Sequence, residues 1–530
     1  MQRSDDHTVS IDSGAVVGRA VADGAVRAFL GIPFAAPPVG PLRWRAPAPV
    51  AAWGEPLIAD RYGPMPLQRL SQVDSILNGV GALSEDCLQL NVWTPAVKPA
   101  HPLPVMVWIH GGGHMSGSGI LPQYAGAGLA RKGAVVVTLN YRVAALGYLA
   151  HPEISAEAEN GTSGNFGLLD VIAALRWVRR NIAAFDGAAD QVTLFGQSAG
   201  ASMILCLMTA PCAKGLFHRA IIQSPGVLKG PDGRMMRLDA AERRGVAFAD
   251  ELGCRSLAEL RNMPADALVA APGFTPIADG VIIPDDVHAA FAAGLAHSLP
   301  LLGGWNRDEG TTYLQPDRKD AFVAALKQKF GDRAEALLAI YPVRADADVP
   351  AAAASVMRDE VFAWPAESAL RDHAAAGRAS YLYQFEQTPP FPAGMQMREY
   401  ARGPRVPGGP VGRLKSDRAF GAYHSAEIVY ALDNLAAFGW PWRDSDRRLA
   451  ETMSDCWLAF AKTGNPNGEG LPEWPAYGPA AGLAMHFGED VNAAPAGNCA
   501  GLQFVDTVYR SKDKSFEQHA TAVRRLAAAQ

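Results

Sequence analysis

The chain has no uninterrupted apolar run approaching the ~18 residues that a membrane-spanning helix needs, which excludes an integral helical membrane protein. It has no long block of like charge either. Its 48 basic residues are interspersed with 53 acidic ones for a formal charge of −5, which argues against nucleic acid as a partner. Cysteine is scarce: the six residues Cys87, Cys206, Cys212, Cys254, Cys456 and Cys499 show no C-x-x-C spacing. That speaks against a zinc cage and a dense disulfide framework, and for a reducing compartment. The opening Met1-Gln2-Arg3-Ser4-Asp5-Asp6-His7 puts acids where a signal peptide needs an apolar stretch. The expectation is a cytoplasmic protein, or a periplasmic or secreted one if a leader precedes this sequence. Internal repeats at solenoid periods are absent, and no linker divides the 530 residues, so one domain over 1–530 is expected.

What is present is an alternation of β-rich runs and helical stretches. The runs are Pro104–Ile109, Val135–Leu139, Val192–Phe195, Ala220–Gln223, Leu299–Leu302 and Tyr381–Phe385. Leu168, Leu169, Ile172, Leu175, Val178 and Ile182 recur at three- and four-residue spacing, which predicts an amphipathic crossover helix ahead of the third run. The fold class is therefore α/β, a large, mostly parallel twisted sheet flanked by helices. Residues 235–300 and 318–375 carry helical spacing and are expected to wall a pocket. Residues 388–420 are rich in proline and glycine and carry Arg398, Arg402, Arg405, Arg413, Lys415 and Arg418 against Glu399 and Asp417. That composition predicts a basic loop insertion.

Two Gly-rich turns fall at strand ends, where open α/β sheets bind ligands. Gly196-Gln197-Ser198-Ala199-Gly200 stands between the run Val192–Phe195 and the apolar Met203–Met208. A G-x-S-x-G turn in that context strains the backbone, projects the serine hydroxyl from the sheet and turns the following N–H toward the same space. Glycine makes up a tenth of the chain, so the pentapeptide alone proves little. The second turn, His110-Gly111-Gly112-Gly113, follows Val105–Ile109 and leaves backbone N–H groups unobstructed by side chains, as an oxyanion hole requires. Each such donor is typically worth about 3–4 kcal/mol of transition-state stabilisation. His110 and His114 have the spacing of a zinc pair on a helix, but three intervening glycines preclude the helix; no metal or organic cofactor is expected.

In α/β-hydrolases the triad runs serine, acid, histidine, so the base comes from His218, His288, His297, His373, His424, His486 or His519. His424 is singled out by its loop-like context, Gly421-Ala422-Tyr423-His424-Ser425-Ala426-Glu427, just after the basic stretch. The acid belongs in the loop after Leu299–Leu302, where Asp308 and Glu309 are adjacent. Either could hold the imidazole tautomer and stabilise the imidazolium.

Longer strings then carry a resemblance. Phe29-Leu30-Gly31-Ile32-Pro33-Phe34-Ala35-Ala36-Pro37-Pro38-Val39-Gly40, Ser84-Glu85-Asp86-Cys87-Leu88-Gln89-Leu90-Asn91-Val92, Gly164–Asp170, Phe195–Gly200 and Phe460–Asn467 with Trp474-Pro475 span nearly the whole chain. The sequence closely resembles the type B carboxylesterase family, which includes cholinesterases and bacterial para-nitrobenzyl esterases. The resemblance implies a serine carboxylesterase acting through an acyl-enzyme on small-molecule esters, as a monomer or homodimer. It makes Ser198 the nucleophile, His424 the base and Glu309 the acid, with oxyanion donors at the N–H groups of Gly112, Gly113 and Ala199. Ser224 resembles a family serine that supports the acid from behind, and Gln197 stands where the family often has glutamate.

Departures from the family pattern bear on substrate. No cysteine upstream matches Cys87, so a free, buried thiol is expected there. Leu77 occupies the position of the choline-stacking tryptophan, which removes cation–π recognition of a quaternary amine. Ala270, Ala271, Pro272 and Gly273 precede Phe274 where cholinesterases have aromatics, so a roomy acyl pocket is expected, with His114 also lining it. Arg402 and Arg405 of the basic loop could pair with substrate carboxylates, as in bacterial relatives that strip tricarballylate from fumonisins. The rival expectations are a general esterase, amidase or carbamate hydrolase with neutral substrates, and a non-catalytic adhesion protein of the same fold.

Overall fold

A computed structural model describes residues 7–69, 81–228, 234–269, 273–398, 414–416, 420–478, 482–497 and 499–511. Its centre is an eleven-stranded sheet. In chain order the strands are β1 (Arg19–Val21), β2 (Val26–Pro33), β3 (Gln89–Pro95), β4 (Leu103–Ile109), β5 (Val135–Leu139), β6 (Gly187–Gln197), β7 (Arg219–Gln223), β8 (Leu301–Asn306), β9 (Ser380–Phe385), β10 (Leu483–Phe487) and β11 (Val491–Pro495). Their spatial order is β11-β10-β9-β8-β7-β6-β4-β5-β3-β2-β1. From β5 to β10 every neighbouring pair is parallel. The continuous burial of β5 and β9 explains why they read as unbroken apolar runs: helices cover both faces of the sheet.

All six strand runs expected from the sequence are in this sheet. The flanks differ from a purely parallel reading, because β3, β2 and β1 on one side and β11 on the other pair antiparallel. The outermost two, β1 and β11, are short and partly exposed, so they leave little apolar pattern in the sequence. The strings that carry the family resemblance meet here: Gly31, at φ 75°, donates its N–H to the Asn91 side chain at 2.9 Å. A Cβ at Gly31 would lie 2.8 Å from the Arg61 carbonyl, so glycine is required.

The predicted crossover helix is α1 (Phe166–Asn181), and its Asp170 is fully buried. Asp170 accepts from the backbone N–H of Arg142 at 2.9 Å and from the guanidinium at 2.8 and 2.7 Å, locking α1 to the segment after β5. Helix α2 (Ala199–Thr209) is buried all round, as its uniformly apolar sequence demands. The regions 235–300 and 318–375 are helical as expected, with Leu238–Glu251 and Lys319–Phe330 their longest pieces before Trp364–Ala375. Residues 388–420 are not wholly loop. Gln396–Arg398 and Leu414–Ser416 pair as an antiparallel two-stranded sheet, a short ladder that a Pro/Gly-dominated composition hides.

All six cysteines are free, Cys87 among the buried ones. Among the described residues, no helix is long and apolar enough to cross a membrane and no three His, Cys, Asp or Glu side chains gather as a metal site.

Candidate active site

Strand order reverses around β4. The chain leaves β4 toward β5 on one side, while β6 lies on the other side and is followed outward by β7. Connections diverging this way leave a crevice beyond the carboxyl ends of β4 and β6. Gly111–Gly113 and Ser198 sit at those two ends.

Ser198 takes φ 57° and ψ −125°, a strained conformation for a side-chain-bearing residue. It is fixed by its N–H, which donates to the Gln223 carbonyl of β7 at 2.9 Å, and by its carbonyl, which accepts from Ser202 at 3.0 Å. Both glycines of the pentapeptide are needed. A Cβ would lie 2.6 Å from the Ile109 carbonyl at Gly196 and 2.0 Å from it at Gly200, so only glycines let this turn pack on β4. Ala199 opens α2, and its N–H therefore has no partner within the helix. Across the crevice Gly112 and Gly113 have φ 115° and 64°, and no described residue accepts from their N–H groups. The Gly112 carbonyl closes the turn by accepting from Met115 and Ser116, both at 3.0 Å. Gly112 and Gly113 after β4 and Ala199 after β6 thus carry backbone N–H groups for which no described residue is an acceptor.

The carboxylate of Glu309, just past β8, is fully buried. Its Oε1 accepts from the Ser224 hydroxyl at 2.5 Å and the Asn306 N–H at 2.8 Å, and its Oε2 accepts from Nδ1 of His424. The carboxylate partner fixes the proton on Nδ1 and leaves Nε2 as the basic nitrogen. From the serine side, Gln197 Nε2 lies 3.2 Å from that Nε2. The adjacent Asp308 does something else: it binds the backbone of Ala422. The other candidate histidines that the structure describes are engaged elsewhere, and His519 lies outside the described residues. His218 accepts from the Val192 N–H, His373 donates to the Leu299 carbonyl, His486 pairs with Glu386, and His288 and His297 lie against Trp364 and Phe217.

The Carboxylesterase family profile matches residues 5–505. The chain belongs to the carboxylesterase family. It is 38% identical over 91% of its length to a fumonisin B1 esterase of Sphingopyxis macrogoltabida, covering 86% of that protein. It is 34% identical to the para-nitrobenzyl esterase of Bacillus subtilis strain 168, covering 86% of this chain and 90% of that one. A solved PNB esterase structure superposes with a TM-score of 0.77 at 31% identity, over 94% of this chain and 100% of the other. The protein is an enzyme, a carboxylic ester hydrolase of the bacterial PNB-esterase type on an α/β-hydrolase fold.

In this carboxylesterase His114 is buried, and burial lowers its pKa to about 3, so it is neutral at ordinary pH. Its ring meets Tyr148 edge-on at 5.4 Å. Phe274 belongs to the same apolar cluster as Tyr148, packs on Phe248 at 5.2 Å and lies under the Arg244 guanidinium. Ala270, Pro272, Leu77, Arg402 and Arg405 lie outside the described residues. His110 stacks on Tyr141 at 4.2 Å and is held neutral by burial, with its pKa lowered to about 4.

Three neighbours of the site were not read from the sequence. Phe362 lies against the His424 ring at 4.2 Å, with Tyr313 at 5.8 Å. Phe362 is on a π-helical turn, Arg358–Ala363, directly before the helix Trp364–Ala375. Pro365 supplies the cue: it has no N–H for the carbonyl four residues back, so a wider turn forms there. Glu427 is a second buried carboxyl behind the histidine, accepting from Asn306 at 2.6 Å and Gln223 at 3.2 Å. Burial, and then the nearby Glu309 charge, push its pKa up to about 7. Its position at the start of the helix Ile428–Ala431 resembles an ordinary first-turn acid, and nothing local marks it as buried.

Proposed function

We propose that Ser198, His424 and Glu309 are the nucleophile, base and acid of a two-step acyl transfer. His424 Nε2 takes the Ser198 hydroxyl proton as the oxygen attacks the ester carbonyl. The N–H groups of Gly112, Gly113 and Ala199 receive the developing negative charge, and His424 returns the proton to the departing alcohol. Water, activated by the same Nε2, then releases the acid and restores Ser198. Glu309 stabilises the imidazolium, while Ser224 holds the carboxylate from behind. The observation that carries this reading is the Glu309 carboxylate bridging the Ser224 hydroxyl and the His424 imidazole, which Gln197, the residue before the strained Ser198, meets at 3.2 Å. Ser198→Ala is expected to abolish hydrolysis of p-nitrophenyl acetate while leaving the circular dichroism spectrum unchanged; retained turnover would sink the assignment.

The substrates that this reading favours are esters of polycarboxylic acids, such as the tricarballylate esters of fumonisins, entering a roomy acyl pocket. Its support is the likeness to a fumonisin B1 esterase over 91% of the chain and the basic composition of residues 388–420. For paired neutral and carboxylate-bearing esters, kcat/KM is expected to favour the anionic member at low salt. That preference should shrink at high salt and in the Arg402→Ala/Arg405→Ala variant. A ratio insensitive to both changes rejects anion recognition.

A further inference from the structure

The segment that carries His424 is fastened to the segment that carries Glu309 by a series of bonds in register. Asn306 donates from its side chain to the Tyr423 carbonyl at 2.7 Å. The Asp308 N–H donates to the Ala422 carbonyl at 3.0 Å, and the Ala422 N–H donates back to Asp308 Oδ2 at 2.8 Å. The Thr311 hydroxyl lies 2.7 Å from both the Asp308 and the Phe420 carbonyls and bridges them. Gly421 has φ 59°, and a Cβ there would lie 2.2 Å from Asp308 Oδ2, so glycine at this position lets the carboxylate in. Arg307 adds a charge-assisted bond to Oδ2 at 3.1 Å from its Nε.

We infer that Asp308 is a positioning residue for the histidine: by gripping Ala422 at both its N–H and its C=O, it sets where the His424 imidazole meets Glu309. Adjacent residues on one segment, Asp308 and Glu309, thus hold residues two apart on the other, Ala422 and His424. The backbone grip fixes the height of the second segment, and the Glu309 contact then fixes the ring. Without the Asp308 side chain the Ala422 N–H loses its partner and the backbone bond to the Ala422 carbonyl is left to hold that residue alone, a single point about which the segment can tilt. A displacement of even 1 Å in a catalytic group can lower the rate about 100-fold, so a modest slip of this segment is sufficient. Asp308 acts through the backbone of its neighbour Ala422.

This inference rests on the triad reading, and the experiment separates the two. Steady-state kinetics with p-nitrophenyl acetate are compared, together with thermal midpoints, for the parent, Ser198→Ala, Asp308→Ala, Asp308→Asn and Gly421→Ala. Asp308→Ala is expected to lower kcat by about 10- to 100-fold with KM changed less than about twofold, since misplacement of a catalytic group affects the chemical step. Asp308→Asn keeps an oxygen for the Ala422 N–H and is expected to recover kcat to within about threefold of the parent. Gly421→Ala leaves Asp308 intact but fills the space its carboxylate occupies, and is expected to reproduce the kcat defect if Asp308→Ala fails to fold. An unchanged kcat in Asp308→Ala or Gly421→Ala, or a defect in Asp308→Ala that tracks the thermal midpoint and is not relieved by Asn, overturns the positioning role. Turnover by Ser198→Ala overturns the triad reading instead, whatever the Asp308 variants do.

Discussion

Glu427 sits with its carboxyl fully buried among Asn306, Gln223, Glu309 and His424, and burial raises its pKa from 4.5 to about 7. In the unfolded chain the group releases its proton near the ordinary value. Between about pH 4.5 and 7 the unfolded state therefore binds fewer protons than the folded one, and stability falls as pH rises through that window. Below the window both states are protonated and the penalty is absent; above it the full penalty applies. Glu427→Gln keeps the shape and one acceptor without titrating. Its stability relative to the parent, measured by urea unfolding, is expected to improve by on the order of 3 kcal/mol between pH 4.5 and pH 8. A difference that stays flat with pH would show that Glu427 is already ionised in the acid range.

At the scale of elements, the site is held by a few ties between segments far apart in sequence. The Arg142–Asp170 pair is one, with both side chains nearly inaccessible and the carboxylate accepting three hydrogen bonds. It binds α1 to the segment after β5, and α1 delivers the chain to β6 and Ser198. Removing one partner strands a buried charge, so Arg142→Ala or Asp170→Ala is expected to cost about 3–5 kcal/mol in chemical denaturation. Replacing both by apolar residues of similar size should cost much less, because no charge is then left unpaired. Equal losses in the single and double variants would contradict that account. Trp457, in the helix Asp444–Thr463, is a second tie: its indole donates to Gln223 of β7, whose backbone carbonyl receives the Ser198 N–H.

For the whole molecule, legibility in the sequence followed burial. Strands such as Val135–Leu139 are covered on both faces and announce themselves as apolar runs, whereas Arg19–Val21 and Val491–Pro495 are short, half-exposed and pair antiparallel at the margins. The two glycine turns could be read because the strand before each is strong and the glycines answer a steric demand at Gly112, Gly196 and Gly200. The choice between Asp308 and Glu309 could not be made from spacing alone, since both stand at the end of β8. What separates them is the placement of the histidine segment, which brings Ala422 to one carboxylate and His424 to the other. Glu427 and Phe362 escaped for a similar reason: their meaning lies in which segment packs across them.

Strands β9 and β10 are parallel neighbours, yet the chain between them runs from residue 386 to residue 482 and carries both His424 and the basic stretch. This excursion is pinned to residues 306–311 between Phe420 and Tyr423, and from the part ahead of the pin Phe391 packs on Tyr423 at 5.8 Å. A change at Phe391 is therefore felt at Tyr423, the residue beside the imidazole. One stretch of chain thus carries both the proposed base and the proposed anion-recognising arginines, so an engineer who exchanges its substrate contacts has the Phe391–Tyr423 packing to preserve.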